Sequence, residues 1–184
     1  MKELVHGRDI KIRTYDLGQG KIMVEGRLTD QRHRPRKGES FQGAFLVHDM
    51  VARLVVKGPE MRIQAVEAEM PHHPREGCIE VLPWMQKLEG VRITKGFTQK
   101  VKELVGNSKG CAHLTSLIIT LGPAAVQGYW AAYGVDRKEL TPEDPRIRMV
   151  VNTCYLWREG GPLLQILRDG WQSSSEQERP QEKL

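Results

Sequence analysis

Residues 49–69 read DMVARLVVKGPEMRIQAVEAE, and this stretch decides the fold. Met50, Ala52, Leu54 and Val56 recur at every second position. Side chains alternate across a strand, so these four share one face. Lys57-Gly58-Pro59-Glu60 then reverses the chain with residues that turns favour. Residues 61–69 (MRIQAVEAE) form the next strand. A connection this short can join neighbouring strands only antiparallel.

Upstream the pattern repeats. Residues 9–15 (DIKIRTY) alternate apolar and polar, Leu17-Gly18-Gln19-Gly20 is a hairpin turn, and residues 21–28 (KIMVEGRL) return. Residues 29–43 are polar and basic and read as a loop. Downstream the period becomes helical. Residues 78–88 (CIEVLPWMQKL) and 97–105 predict short helices, with Pro83 tolerated in a first turn. Residues 111–130 are nearly all apolar and predict a buried helix bent at Gly122-Pro123. Residues 147–157 (IRMVVNTCYLW) read as a further β segment and 162–171 as a terminal helix. Residues 173–184 hold almost no apolar side chain and are expected to be disordered. The expected class is α+β: an antiparallel meander of four or more strands, followed by helices on one face. A single domain is expected over residues 1–172, with an N-terminal hairpin (9–28), a core (44–133) and a C-terminal strand and helix (146–172).

Composition narrows the setting. A charged fraction of 28% and mean hydropathy of −0.48 argue against an integral membrane protein. The longest apolar stretch, near residues 114–126, is interrupted by Thr120, Gly122 and Pro123. Met1-Lys2-Glu3-Leu4 opens no signal-peptide apolar region, so the cytoplasm is the expected location. The net charge of +5 comes from scattered basic residues. The densest run, residues 32–37 (RHRPRK), has no aromatic residue on which bases would stack, so a nucleic-acid partner is not expected. An open meander leaves an edge strand that a homodimer could cover.

Three widely separated cysteines in such a chain do not suggest a disulfide framework. Cys78 follows Gly77, Cys111 follows Gly110, and each opens a predicted helix. The positive end of the helix dipole favours thiolate, the form that ligates metal or attacks an electrophile. His48 and Asp49 begin the third strand, His113 lies two residues after Cys111, and His72 and His73 occupy the loop before Cys78. Thiolate, imidazole and carboxylate are ligands for zinc or iron. One condition applies: residues two apart within a helix diverge by about 200°. Cys111 and His113 therefore face one point only if Cys111 lies at or before the N-cap. Cys154, Trp84, Trp130 and Trp157 are expected in the core, and Glu67 and Glu69 share a face, either exposed to solvent or lining a pocket as a carboxylate pair.

Two resemblances follow from these residues. Residues 110–117 (GCAHLTSL) and 88–97 (LEGVRITKGF), with His48-Asp49-Met50, Ala65 to Glu69 and Pro74 to Cys78, resemble an uncharacterised bacterial family of unknown function. That resemblance implies no activity. The order of elements also resembles iron–sulfur cluster scaffold proteins of the IscU/NifU and SufE type. There His48-Asp49 would stand in place of the first ligand pair, and Cys78 and Cys111 at the later cysteines. This resemblance implies an IscU/SufE-like core binding zinc or an iron–sulfur cluster through His48, Asp49, Cys78, Cys111 and His113. The departures are His48 in place of a cysteine, a shortened first motif and a longer loop before Cys78. Two alternatives stay open: an enzyme with Cys111 or Cys78 as nucleophile and His48 or His113 as base, and a small-ligand binding module with inert thiols.

Overall fold

A computed structural model describes residues 2–134 and 140–169. The chain divides into two compact units, Met1–Ala132 and Tyr133–Leu184. The first holds strands β1 (His6–Gly18), β2 (Lys21–Arg32), β3 (Phe45–Lys57) and β4 (Arg62–His72), antiparallel and in sequential order. The four-stranded meander followed by helices is thus present, and β1 is an edge strand. β1, β2 and β3 run beyond the ends that alternation marks. In particular, β2 continues through residues 29–32, which the sequence reading assigns to a loop.

Alternation determines the buried face. Ile22, Val24, Leu28, Met50, Ala52, Leu54 and Val56 are fully buried. The opposite face carries an ion cluster, where Arg53 bonds Glu25 at 2.7 Å and also Glu69, with Glu67 at 3.7 Å. Glu67 and Glu69 are exposed to solvent.

After β4, residues Glu76–Leu88 form a 3-10 helix rather than an α-helix, with Pro83 inside it. Met85 and Leu88 are buried, whereas Trp84 is 39% exposed and is not a core residue. The tighter winding stacks positions three apart, so the apolar stripe of an α-helix does not carry over. Helix α1 spans Phe97–Val105, as its spacing predicts. Helix α2 spans Ala112–Tyr133. It lies against the buried face of the sheet. A Cβ on Gly26 would come within 2.6 Å of Leu121 and 2.9 Å of Leu117, so the glycine permits close approach of helix and strand. Further along α2, Gly128 meets Thr14, and the Tyr129 ring lies over Gly58 in the β3–β4 turn.

The second unit contains α3 (Pro145–Val150) and α4 (Pro162–Asp169). The β segment expected at residues 147–157 is therefore a helix followed by turns. Asp144-Pro145 is a start signal that outweighs the β-branched residues: Pro145 opens the helix, and the Asp144 carboxylate accepts from the Arg146 N–H at 2.8 Å. Cys154 falls in those turns and is exposed, not core, and Trp157 is half-buried. Trp130, in α2, is also half-buried. The expected disordered tail lies outside the described residues. No described helix is long and apolar enough to cross a membrane.

Candidate metal centre

One row of the sheet breaks the apolar pattern. Arg8, Asp30 and His48 are direct cross-strand partners on β1, β2 and β3. Asp30 shares a face with Gly26 and Leu28, so it extends the helix-facing side of β2 with a carboxylate. It is 2% exposed. Next to it the register of β2 on β3 shifts: Asp30 pairs with His48, but Gln31 pairs with Leu46. The extra residue, Val47, is a bulge that interrupts the ladder beside the site before pairing resumes at Gln31 and Leu46.

Asp30 is surrounded by nitrogen. Arg8 donates Nε to Oδ1 at 2.6 Å and its terminal nitrogen to Oδ2 at 2.8 Å. His48 Nδ1 lies 3.0 Å from Oδ2 and His113 Nε2 lies 3.5 Å from the same oxygen. His6 Nε2 is 3.6 Å from Oδ1. The rings of His48 and His113 are 3.9 Å apart, centre to centre, and tilted by 34°. Among the described residues, Asp30, His48 and His113 form the group of three whose ligand atoms all lie within 4.8 Å of one another.

The charge balance favours an ionised carboxylate and neutral imidazole. Burial pushes the Asp30 carboxyl upward, but its hydrogen bonds and attraction to Arg8, helped by His48 and His113, outweigh burial and hold it below its ordinary value. His113 is lowered, first by burial and then by repulsion from His48, with Asp30 opposing. A neutral imidazole keeps a lone pair for a metal.

Helix α2 brings His113 to the sheet. Its first residue is Ala112, and the Cys111 carbonyl accepts the Thr115 N–H at 2.9 Å, so Cys111 is the N-cap. The condition for Cys111 and His113 to turn toward each other is met. Cys111 Sγ lies 3.7 Å from His113 Nδ1, leaving Nε2 to face Asp30. Thr115 ties the same helical turn to α1, its hydroxyl donating to the Val105 carbonyl at 2.8 Å.

The other residues expected at the site lie elsewhere. Asp49 follows His48 on a strand and so points to the opposite face, where Arg27 clasps it through both oxygens. Cys78 is half-buried in the 3-10 helix, with its N–H on the Arg75 carbonyl at 3.0 Å. It belongs to no three-ligand group among the described residues. His73 Nδ1 lies 2.9 Å from the Arg75 carbonyl, within its own loop. Asp30 is the residue that sequence reasoning missed. Its signal was present: Ile22, Val24, Gly26, Leu28 and Asp30 continue one alternating face.

Residues 6–127 match the family model described as "Protein of unknown function (DUF2889)". That span runs from the start of β1 into α2 and includes every residue around Asp30 described above. No curated protein and no solved structure matches the chain.

Proposed function

The chain belongs to the DUF2889 family of proteins of unknown function, and from that premise we propose that it binds a divalent first-row metal ion, zinc by default, through Asp30, His48 and His113. The convergence of two imidazole nitrogens on one buried carboxylate oxygen, at 3.0 and 3.5 Å, carries the reading. Metal–ligand bonds of about 2.0–2.2 Å at a tetrahedral angle separate neighbouring donors by about 3.3–3.6 Å. Three protein ligands leave a coordination position for water or substrate, the pattern of catalytic rather than structural zinc. Such a metal would lower the pKa of a bound water or polarise a carbonyl or phosphoryl oxygen.

The surrounding groups suit supporting roles. Arg8 holds both carboxylate oxygens of Asp30 and so fixes the orientation in which Oδ2 meets the imidazoles. Cys111 Sγ lies 3.7 Å from His113 Nδ1, so in this reading it would hold a proton on Nδ1 and leave Nε2 free for the metal. A thiolate-ligated zinc or an iron–sulfur cluster on an IscU/SufE-like core is the weaker form of this proposal, because Cys78 lies outside the ligand group.

Metal analysis of untagged protein tests the reading. About one zinc or iron per chain is expected, lost in Asp30→Ala/His113→Ala and retained in Cys111→Ser. Metal-free wild type, whose zinc binding is unchanged by the double substitution, would overturn it.

A second reading draws on the contact between Cys111 and His113. Cys111 Sγ, His113 and Asp30 form a nucleophile–base–orienting series, with Cys111 at the positive end of a 22-residue helix. It predicts that Cys111 alkylates much faster than Cys78 near neutral pH, in protein without metal. Equal alkylation rates would sink it.

A further inference from the structure

The stretch 88–97 (LEGVRITKGF), prominent in the sequence, takes no part in the centre around Asp30. It lines a different hollow of about 550 Å³ that is broadly open to solvent. Lys87, Arg92, Lys95 and Lys100 contribute four positive charges to its walls, against the single negative charge of Glu89. The excess of three is concentrated in one hollow of a chain whose net charge is +5. Lys100 pairs with Glu103 at 3.6 Å, and the Lys87 ammonium lies 5.0 Å from the centre of the Trp84 ring. Lys87, Arg92 and Lys95 form no salt bridge among the described residues.

The backbone around this hollow is fixed in advance. Residues 90–93 are pinned to the start of β4 and the turn before it. Gly90 N–H donates to the Ile63 carbonyl at 2.8 Å, Ile63 N–H to Val91 at 2.9 Å, and Ile93 N–H to Met61 at 2.9 Å. Phe97 is buried and packs on α2 at Gly122, where a Cβ would come within 2.7 Å of its ring. Gly96 adopts φ 89°, and no side chain caps the first turn of α1. The Phe97 N–H donates to the Thr94 carbonyl at 2.9 Å, and the N–H groups after it in this turn reinforce the positive charge of the side chains.

We infer that this cavity binds a small molecule through a phosphate group, with Arg92 and Lys95 as the main anchoring charges. Arginine engages two phosphate oxygens at once, and lysine adds a mobile point charge. The partly apolar floor, from Val91, Phe97 and Leu104, suits the organic remainder of such a ligand. The inference is independent of the metal reading, because its residues and those around Asp30 do not overlap.

Titration of the full chain with inorganic pyrophosphate, in chelator-treated protein and followed by backbone amide shifts, provides the test. Saturable shifts confined to residues 87–104 are expected. Arg92→Glu/Lys95→Glu should weaken binding at least tenfold, and so should replacing pyrophosphate by succinate. Lys95→Gln, which reverses no charge, should weaken it to a smaller but measurable degree with an unchanged spectrum elsewhere. Shifts spread over the surface, succinate bound as tightly, or an affinity unaffected by both variants would overturn the inference.

Discussion

His113 Nε2 lies 3.5 Å from Asp30 Oδ2, so the first turn of α2 and the end of β2 meet through a buried carboxylate. Because this contact joins helix to sheet at a charged point, it ties the stability of the fold to the chemistry of the site.

Asp30→Asn keeps the shape and removes the charge. Arg8 then loses its anion, and one of the two oxygens that face Arg8 and the imidazoles becomes an amide nitrogen that donates instead of accepting. A loss of about 1–3 kcal/mol is expected, the range for a charged hydrogen-bond partner left unsatisfied. Urea denaturation measures it. Zinc should raise the wild-type midpoint and leave that of the variant unchanged.

The acid limb depends on Arg8. With the Asp30 pKa depressed, its contribution to stability is present above the unfolded-state value, near 3.8, and is lost as pH falls through the folded value. In Arg8→Met, burial dominates and the carboxyl is pushed up instead. Acid unfolding followed by circular dichroism should therefore occur at higher pH in the variant than in wild type. An identical acid midpoint would contradict this.

His113 acts at milder pH. Its pKa is lowered in the folded protein, so the unfolded chain binds the extra proton first. Stability is complete above the ordinary value of about 6.5 and declines as pH falls through the folded pKa. His113→Gln should flatten the stability profile below about pH 6.5, which thermal melts across pH 5–8 would show. Zinc affinity of the wild type should decline over the same interval, because the proton and the metal compete for one nitrogen.

Gly26→Ala tests the seating of α2. The added methyl would lie 2.6 Å from Leu121 and 2.9 Å from Leu117, so the helix or its leucines must shift. Overpacking of this kind costs about 1–3 kcal/mol. Because α2 also carries His113, zinc affinity should weaken in the same variant. Calorimetric titration beside a denaturation curve separates the two effects.

Much of the fold was legible because it is local. The alternation of Met50, Ala52, Leu54 and Val56, and the turns at residues 17–20 and 57–60, are short-range consequences of backbone geometry. The same holds for α1, whose bounds follow from Phe97, Val101 and Val105 on one face. Where reading failed, a competing local signal was present. β-branched residues at 150–151 suggested a strand, but Asp144-Pro145 had already started a helix.

The site was half legible. His48, Cys111 and His113 stand out by residue type, and helix geometry lets Cys111 face His113 only from the N-cap, where it lies. Asp49 was paired with His48 because they are adjacent in sequence, yet adjacency on a strand sends side chains to opposite faces. Asp30 was passed over because polar neighbours made the end of β2 resemble a loop.

By itself, the sequence determined the alternation of the four strands, the antiparallel meander and the helical periods of α1 and α2, since each depends on residues a few positions apart. Only the tertiary structure decided that Asp30, not Asp49 or Cys78, stands between the two imidazoles. That choice depends on β-sheet register, a bulge at Val47 and the placement of α2 over Gly26. These are packing relationships between distant segments, and no spacing along the chain encodes them.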